Sequence, residues 1–262
     1  MMGKFIVVGE RIHCISPSIR AAMEKMDGGP IIQRAKDQIA AGATYLDVNI
    51  GPAEKNGEEL MKWAVKLIQG NCDNIPLCLD TANRKAIEAG ISVYNRSKGK
   101  PIINSADAGD RISNIDVAAA NEAIVIALCS KHGVPRNNEE RTAYCQEMLE
   151  HGMALGLSEH DMWFDPLTLV IKGMQEKQPE YLEFIRQIRD MGLFSIAGLS
   201  NASNGMPKEI RPIVDSVLLA MAIECGLSSA ILNPCDKNLM NTIKTAAVIL
   251  NQTLYADSYL EL

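Results

Sequence analysis

Histidine is scarce in this chain: there are four in 262 residues, and no two stand at a ligand spacing such as H-E-x-x-H. An intrinsic metal site is therefore not expected. The seven cysteines are scattered, odd in number and never paired as Cys-x-x-Cys, which excludes a disulfide framework or a zinc ribbon as the organising device. Most read as small core hydrophobes. No apolar stretch approaches the roughly 18 residues of a membrane span. Residues 1–8 carry one Lys and a short apolar run without a long h-region or cleavage signal, so a cytoplasmic location is expected. Gly-x-Gly-x-x-Gly and Gly-x-x-x-x-Gly-Lys-Ser/Thr are both missing, which argues against a dinucleotide or nucleotide-phosphate motif. Lys and Arg number 26 against 32 acidic residues, a net charge of −6. Such a balance offers nucleic acid no general attraction.

What is present is a repeat. Apolar runs at 5–8, 45–48, 77–79, 102–103, 124–128, 162–164, 194–197 and 230–232 each end in small polar residues and are followed by a segment of helical period. Eight units in 262 residues are about 33 residues each, the length of a strand and its crossover helix. The expected fold is α/β, a (β/α)₈ TIM barrel forming one domain over residues 1–262. An apolar content of 47% is ample for its core.

Prolines and glycines punctuate the helices. Pro30 opens a segment with Ile32, Ala35 and Ile39 on one face, closed by Gly42. Residues 58–69 carry Met61, Ala64, Leu67 and Ile68 and stop at Gly70. Pro179 precedes Leu182, Ile185 and Ile188; Pro212 precedes Ile213, Val217, Ala220 and Met221. These stripes are expected to pack into the core. The long irregular stretches 130–138, 166–178 and 201–211 follow strands, which places them on the face that carries chemistry in such barrels.

Glu10, Asn49, Asp80, Asn104, Asp165 and Asn201 fall at strand ends and should converge on one pocket. Singly, each has an ordinary explanation: Asp165 precedes Pro166 and can start a turn, Asn83 can cap a helix, and Asp47 can satisfy a loop amide. Collectively they exceed what capping requires. Two carboxylates and a carboxamide, Asp80, Asp165 and Asn104, suit a flat heterocycle that displays several N–H donors and an oxo group, as a pterin does. Few bases or nucleophiles accompany them, so the pocket reads as one that positions and hydrogen-bonds its ligand.

Six segments, in order, carry a resemblance: Val7-Val8-Gly9-Glu10-Arg11-Ile12, Leu46-Asp47-Val48-Asn49-Ile50-Gly51-Pro52, Cys78-Leu79-Asp80-Thr81-Ala82-Asn83, Ile103-Asn104-Ser105, Phe164-Asp165-Pro166-Leu167 and Gly198-Leu199-Ser200-Asn201. Together they resemble the methyltetrahydrofolate:corrinoid protein methyltransferases. Those enzymes belong to the pterin-binding barrels, with the folate module of cobalamin-dependent methionine synthase and dihydropteroate synthase. The resemblance runs from Val7 to about Tyr259.

It implies methyl transfer between N5 of methyltetrahydrofolate or tetrahydrofolate and the cobalt of a corrinoid (cobalamin). Asp80, Asn104 and Asp165 would hold the pterin, and Asn201 would be the catalytic residue at N5. Glu10, Asn49, Ser200 and Asn204 would complete the substrate site. Arg211, with Lys208, would meet the folate's anionic tail or the partner. No Asp-x-His-x-x-Gly motif is present, so the corrinoid is expected on a separate protein that docks transiently over the open face. A homodimer is also implied, with 246–254 as a compatible interface. His13 stands where the family usually has Asn, and Asn204 where it has Gln. The direction of transfer stays open, between acetogenic carbon fixation and O-demethylation. Two alternatives are a dihydropteroate synthase-like condensing enzyme, disfavoured because the segment after 194–197 lacks a Ser-Arg-Lys type basic motif, and a non-catalytic folate-binding barrel.

Overall fold

The eight apolar runs form the strands of a closed parallel barrel in the computed structural model, which describes residues 4–261. In order they are β1 (Ile6–His13), β2 (Tyr45–Asn49), β3 (Leu77–Asp80), β4 (Ile102–Asp107), β5 (Ile124–Leu128), β6 (Met162–Asp165), β7 (Phe194–Gly198) and β8 (Ser229–Leu232). Each pairs with its sequence neighbours, and β8 closes on β1 through Val8 opposite Ile231. The helices are α1 (Pro17–Glu24), α2 (Gly28–Ala40), α3 (Gly57–Asn71), α4 (Arg84–Ser92), α5 (Asn114–Ala120), α6 (Asn138–Ala154), α7 (Gln178–Asp190), α8 (Arg211–Cys225) and α9 (Lys237–Ile249). None is long and apolar enough to cross a membrane among the described residues.

Alternation along the strands divides the core in two. Residues such as Leu46, Val48, Leu77 and Leu79 face the helices. Val8, Cys78, Ile102, Ile124, Ile126, Trp163 and Ile196 fill the barrel itself. Trp163 anchors the lower part of that filling, edge-on to Tyr45 at 5.7 Å and 4.7 Å from Phe194. A packed, apolar barrel interior leaves only the carboxyl ends of the strands open to a ligand.

Two strands run past their apolar segments. β1 continues through Glu10 to His13 with a register shift between Gly9 and Ile12, and β4 continues to Asp107 with a shift between Asn104 and Ala106. Glu10 and Asn104 thus lie inside strands, held more firmly than strand-end residues would be. Helix starts at this rim consume other polar groups. Asp27, Asn83, Asn137 and Asp236 accept from Gly29, Ala86, Glu140 and Asn238 amides, so the capping reading of Asn83 holds.

Three details of the helices differ from the expected pattern. Asp27 caps α2 ahead of Pro30, and its buried face is Ile31, Ala35 and Gln38, one position away from Ile32 and Ile39. Gly70 lies within α3, which ends at Asn71. Most consequentially, the α8 stripe Ile213, Val217 and Met221 points outward, 65%, 54% and 48% exposed, while Leu218, Leu219, Ala222 and Ile223 are buried. This helix is apolar on both faces, so spacing alone could not say which face meets the barrel.

Candidate functional site

The layer above the apolar filling is polar. Inward positions two residues beyond Val8, Cys78, Ile102 and Trp163 are Glu10, Asp80, Asn104 and Asp165, and β2 adds Asp47 and Asn49. The register puts Asn49 opposite Asp80 and Asp80 opposite Asn104. Side chains then meet across strands. Asn49 Nδ2 donates to Asp80 Oδ2, and Asn104 Nδ2 donates to Asp47 Oδ1 at 3.3 Å. Asn49 is itself oriented by the Gly51 amide, which donates to its Oδ1 at 2.9 Å. The β3 loop is pinned by Thr81, whose hydroxyl donates to the Gly51 carbonyl at 2.6 Å and accepts from the Asn83 amide at 3.1 Å.

Asp165 serves the turn and the pocket at once. Its Oδ1 accepts from the Leu167 amide at 2.8 Å, so the turn before Pro166 is real. Behind it, the fully buried Arg141 of α6 donates from Nε to the Pro166 carbonyl at 3.2 Å and from Nη1 to Asn138 at 2.8 Å.

On the opposite side β7 ends at Gly198 and passes into a short 3-10 turn, Leu199–Asn201. Ser200 Oγ lies 2.6 and 2.8 Å from the two carboxyl oxygens of Glu10 and donates to them. Asn201, the next residue, is exposed. A Cβ at Gly198 would sit 3.0 Å from Asn201 Nδ2, so glycine leaves the amide its place. Ser203 Oγ donates to Asp215 of α8 at 2.9 Å and fastens the following loop.

Burial dominates the charge state of this layer. It pushes Glu10 up to about 7 against the Ser200 hydrogen bond, and Asp165 up to about 7 against the Leu167 amide. Asp80 is pushed to about 6, held back by hydrogen bonds from Asn49 and Asp47 and by the Arg111 charge. Asp47 lies well above the usual carboxylate range, from burial first and the Asp80 charge second. Carboxyl groups raised this way gain most from a ligand that brings N–H donors, because such bonds stabilise the charged form.

The family model described as pterin binding enzyme matches residues 16–233. The chain belongs to this pterin-binding enzyme family. It is similar to the methylcorrinoid:tetrahydrofolate methyltransferase of Eubacterium limosum, 26% identical over 257 residues, which cover 95% of this chain and 93% of that protein. It is also similar to the methionine synthase of Mycobacterium leprae, 27% identical over 244 residues; the match takes in 87% of this chain and only 20% of that protein's length. Among solved structures, dihydropteroate synthases of Yersinia pestis and Vibrio fischeri superpose with a TM-score of 0.74 at 15% identity, over 96% and 97% of this chain and 96% of each of theirs. At that identity the likeness is one of fold.

Of the expected site residues of this pterin-binding enzyme, Glu10 and Ser200 meet directly, as do Asn49 and Asp80. Asn104 joins them through Asp47. Asn204 is exposed, its amide donating to the Asn201 carbonyl at 3.3 Å. Arg211 Nε donates to the Met206 carbonyl at 2.9 Å, which ties the start of α8 to the preceding loop.

Two members of the layer escaped sequence reading. Asp47 satisfies no loop amide; it is buried inside the barrel beside Asp80 and Asn104. Strict alternation from Tyr45 and Asn49 was the signal that could have found it. Arg111 folds back from the loop after β4, with Nε 2.8 Å from Asp107 Oδ2 and Nη1 3.1 Å from Ser105 Oγ. Nothing in its local sequence marks it, since its placement depends on the register shift in β4.

Proposed function

We propose that this enzyme moves a methyl group between N5 of (methyl)tetrahydrofolate and the cobalt of a corrinoid carried by a separate protein. The observation that carries this reading is one rim that joins raised acids able to take pterin donors, Asp80 and Asp165, to an exposed amide on the 3-10 turn, Asn201. The relative that spans 95% of the chain is named for that pair of substrates, which supports it. In this reading Asp80, Asn104 and Asp165 hold the pterin edge. Asn49 aims Asp80, and Glu10 with Ser200 steadies the turn that carries Asn201. Asn204 and Arg211 stand where the folate tail leaves the barrel.

When the methyl group leaves N5, the C–N bond breaks and its electron pair stays on nitrogen, which must gain a proton. The strongly nucleophilic Co(I) substrate supplies the pair for the new bond. Asn201 donates an N–H to N5 and so stabilises the developing lone pair. Its amide releases no proton at neutral pH, so the proton arrives through solvent or a network. Glu10, tied to the residue beside Asn201, is a titratable member of that network. In reverse, Asn201 orients the N5 lone pair towards the methyl carbon and N5 sheds its proton after attack. One pocket serves both directions, and supply of substrates sets which runs.

The partner must reach N5 over the open rim and leave again, so its docking is transient. A second copy of the chain is proposed to cover the outward face of α8 and α9. There a surface groove of about 650 Å³, away from the barrel mouth, is lined by Ile213, Val217, Thr245, Ile249 and Leu250 among others. An apolar groove of that kind suits an isologous dimer.

The test is spectroscopic. Protein, Co(I) cobalamin and methyltetrahydrofolate are mixed and the visible spectrum followed for conversion to methyl-Co(III), with Asn201→Ala alongside. Protein-dependent conversion that drops sharply in the variant is expected. If tetrahydrofolate binds yet no methyl group moves in either direction, even with a native corrinoid protein, the transferase reading is wrong.

A further inference from the structure

Asp47 is 3% exposed, deep in the barrel and directly beneath the residues that face the ligand. On β2 it lies opposite Cys78. From β3 the Cys78 thiol hydrogen-bonds to it and the Asp80 carboxyl is within hydrogen-bond reach. From β4 the Asn104 amide donates to it at 3.3 Å, and from β1 the Glu10 charge acts on it at longer range. Two carboxyl groups this close cannot both be ionised. One proton must therefore be held between Asp47 and Asp80.

The surroundings decide where. Asp80 has the Asn49 amide on Oδ2, the Arg111 guanidinium within coulombic range, and partial exposure at the rim. All three favour its charged form. Asp47 has a thiol and one long amide bond, and the charges that act on it most strongly, those of Asp80 and Glu10, are negative. Its hydroxyl, when protonated, needs an acceptor. Cys78 and Asn104 both present donors to it, so the acceptor left is Asp80.

We propose that Asp47 is a positioning residue that keeps a proton, donates a hydrogen bond through it to Asp80, and thereby sets the donor and acceptor order of the pocket. The role assigned to that pocket rests on the pterin-site reading of Asp80 and Asn104. With Asn49 and Asp47 both donating to it, Asp80 is a carboxylate of fixed orientation. With one N–H spent on Asp47, Asn104 turns its carbonyl and its second N–H to the ligand. A neutral acid in this place supplies the order without adding a second buried negative charge, whose desolvation would be severe. The arrangement selects an edge that gives donors to Asp80 and pairs a donor with an acceptor at Asn104.

The experiment reads the proton and the binding separately. The first measurement is the infrared protonated-carboxyl band at pH 9, where Glu10, Asp80 and Asp165, raised to about 7, 6 and 7, are ionised. The band is expected in the wild-type protein and lost in Asp47→Asn. The second is the Kd of tetrahydrofolate by calorimetry for wild type, Asp47→Asn and Asp47→Ala. An asparagine keeps a donor for Asp80 and an acceptor for Asn104, so its Kd should stay within about threefold, whereas alanine should weaken binding by about 10- to 100-fold. Absence of the band in wild type, its persistence in Asp47→Asn, or a Kd as poor in asparagine as in alanine each overturns the proposal. If the wild type binds no folate, the pterin reading fails by itself, while the infrared band still decides where the proton sits.

Discussion

Ser200 reaches across 190 positions of sequence to place its hydroxyl 2.6 and 2.8 Å from the two carboxyl oxygens of Glu10. The bond joins the first strand to the turn after the seventh and lowers the pKa that burial has raised. Glu10 therefore titrates between about 4.5 in the unfolded chain and about 7 in the folded one. A raised folded pKa gives stability that is present below the unfolded value and lost as pH rises through the folded one. Ser200→Ala removes the bond, raises the folded pKa further and deepens that loss. The Tm of Ser200→Ala should fall more steeply than wild type between pH 5 and pH 8, by scanning calorimetry, and Glu10→Gln should flatten the slope. Parallel curves for all three proteins would mean that Glu10 is not the titrating group.

Asn201 offers a prediction that separates position from chemistry. Asn201→Ala should lower methyl transfer by on the order of 10²-fold with a smaller loss in substrate affinity, as expected of a group acting in the transition state. Gly198→Ala keeps the amide but pushes a methyl group to 3.0 Å from its nitrogen. It should lower kcat in the same direction and leave tetrahydrofolate binding nearly intact. Stopped-flow rates and equilibrium binding on both variants check this; an unchanged kcat in Gly198→Ala would mean that the amide tolerates displacement.

The architecture was open to sequence reading because a (β/α)₈ barrel is built from local patterns. Runs such as 124–128 are too short and too β-branched for helices, and each is followed by helical period. The placement of Asp80 and Asp165 at strand ends followed directly. What escaped depended on relations the chain does not write locally. The bulge in β1 keeps Glu10 inside the sheet, and the shift in β4 brings Arg111 back to Ser105. Asp47, flanked by Leu46 and Val48, looks like an isolated polar residue until the strand is seen to alternate between helices and barrel interior.

Asp165 makes ligand affinity depend on pH. Burial raises it to about 7, so in the empty pocket much of it is protonated at neutral pH. A pterin edge donates to the ionised form, so binding must first release that proton. The Kd of tetrahydrofolate should weaken by about tenfold per unit as pH falls below 7, and more steeply below the Asp80 value of about 6. Asp165→Asn should bind more weakly at pH 8 and lose the step near 7. A wild-type Kd that is flat from pH 5 to 8 would show that neither acid changes charge on binding.

The outward stripe of α8 bears on assembly. Ile213 and Val217 are 65% and 54% exposed, and Ile249 of α9 is 77% exposed, on the groove wall. Leaving so much aliphatic surface in water is unfavourable by roughly 25 cal/mol per Å², and an isologous contact along α8 and α9 removes it from both copies. Sedimentation equilibrium should therefore return twice the chain mass of 28.6 kDa. Val217→Glu places a charge at the middle of the contact, where the groove lining offers no cation to offset its desolvation in the dimer and already holds Glu224. The variant should sediment as a monomer while its Kd for tetrahydrofolate stays near wild type, because the stripe lies on the outer wall and the polar layer at the barrel mouth. A wild-type monomer, or a Val217→Glu protein that still dimerises, would move the interface to another face.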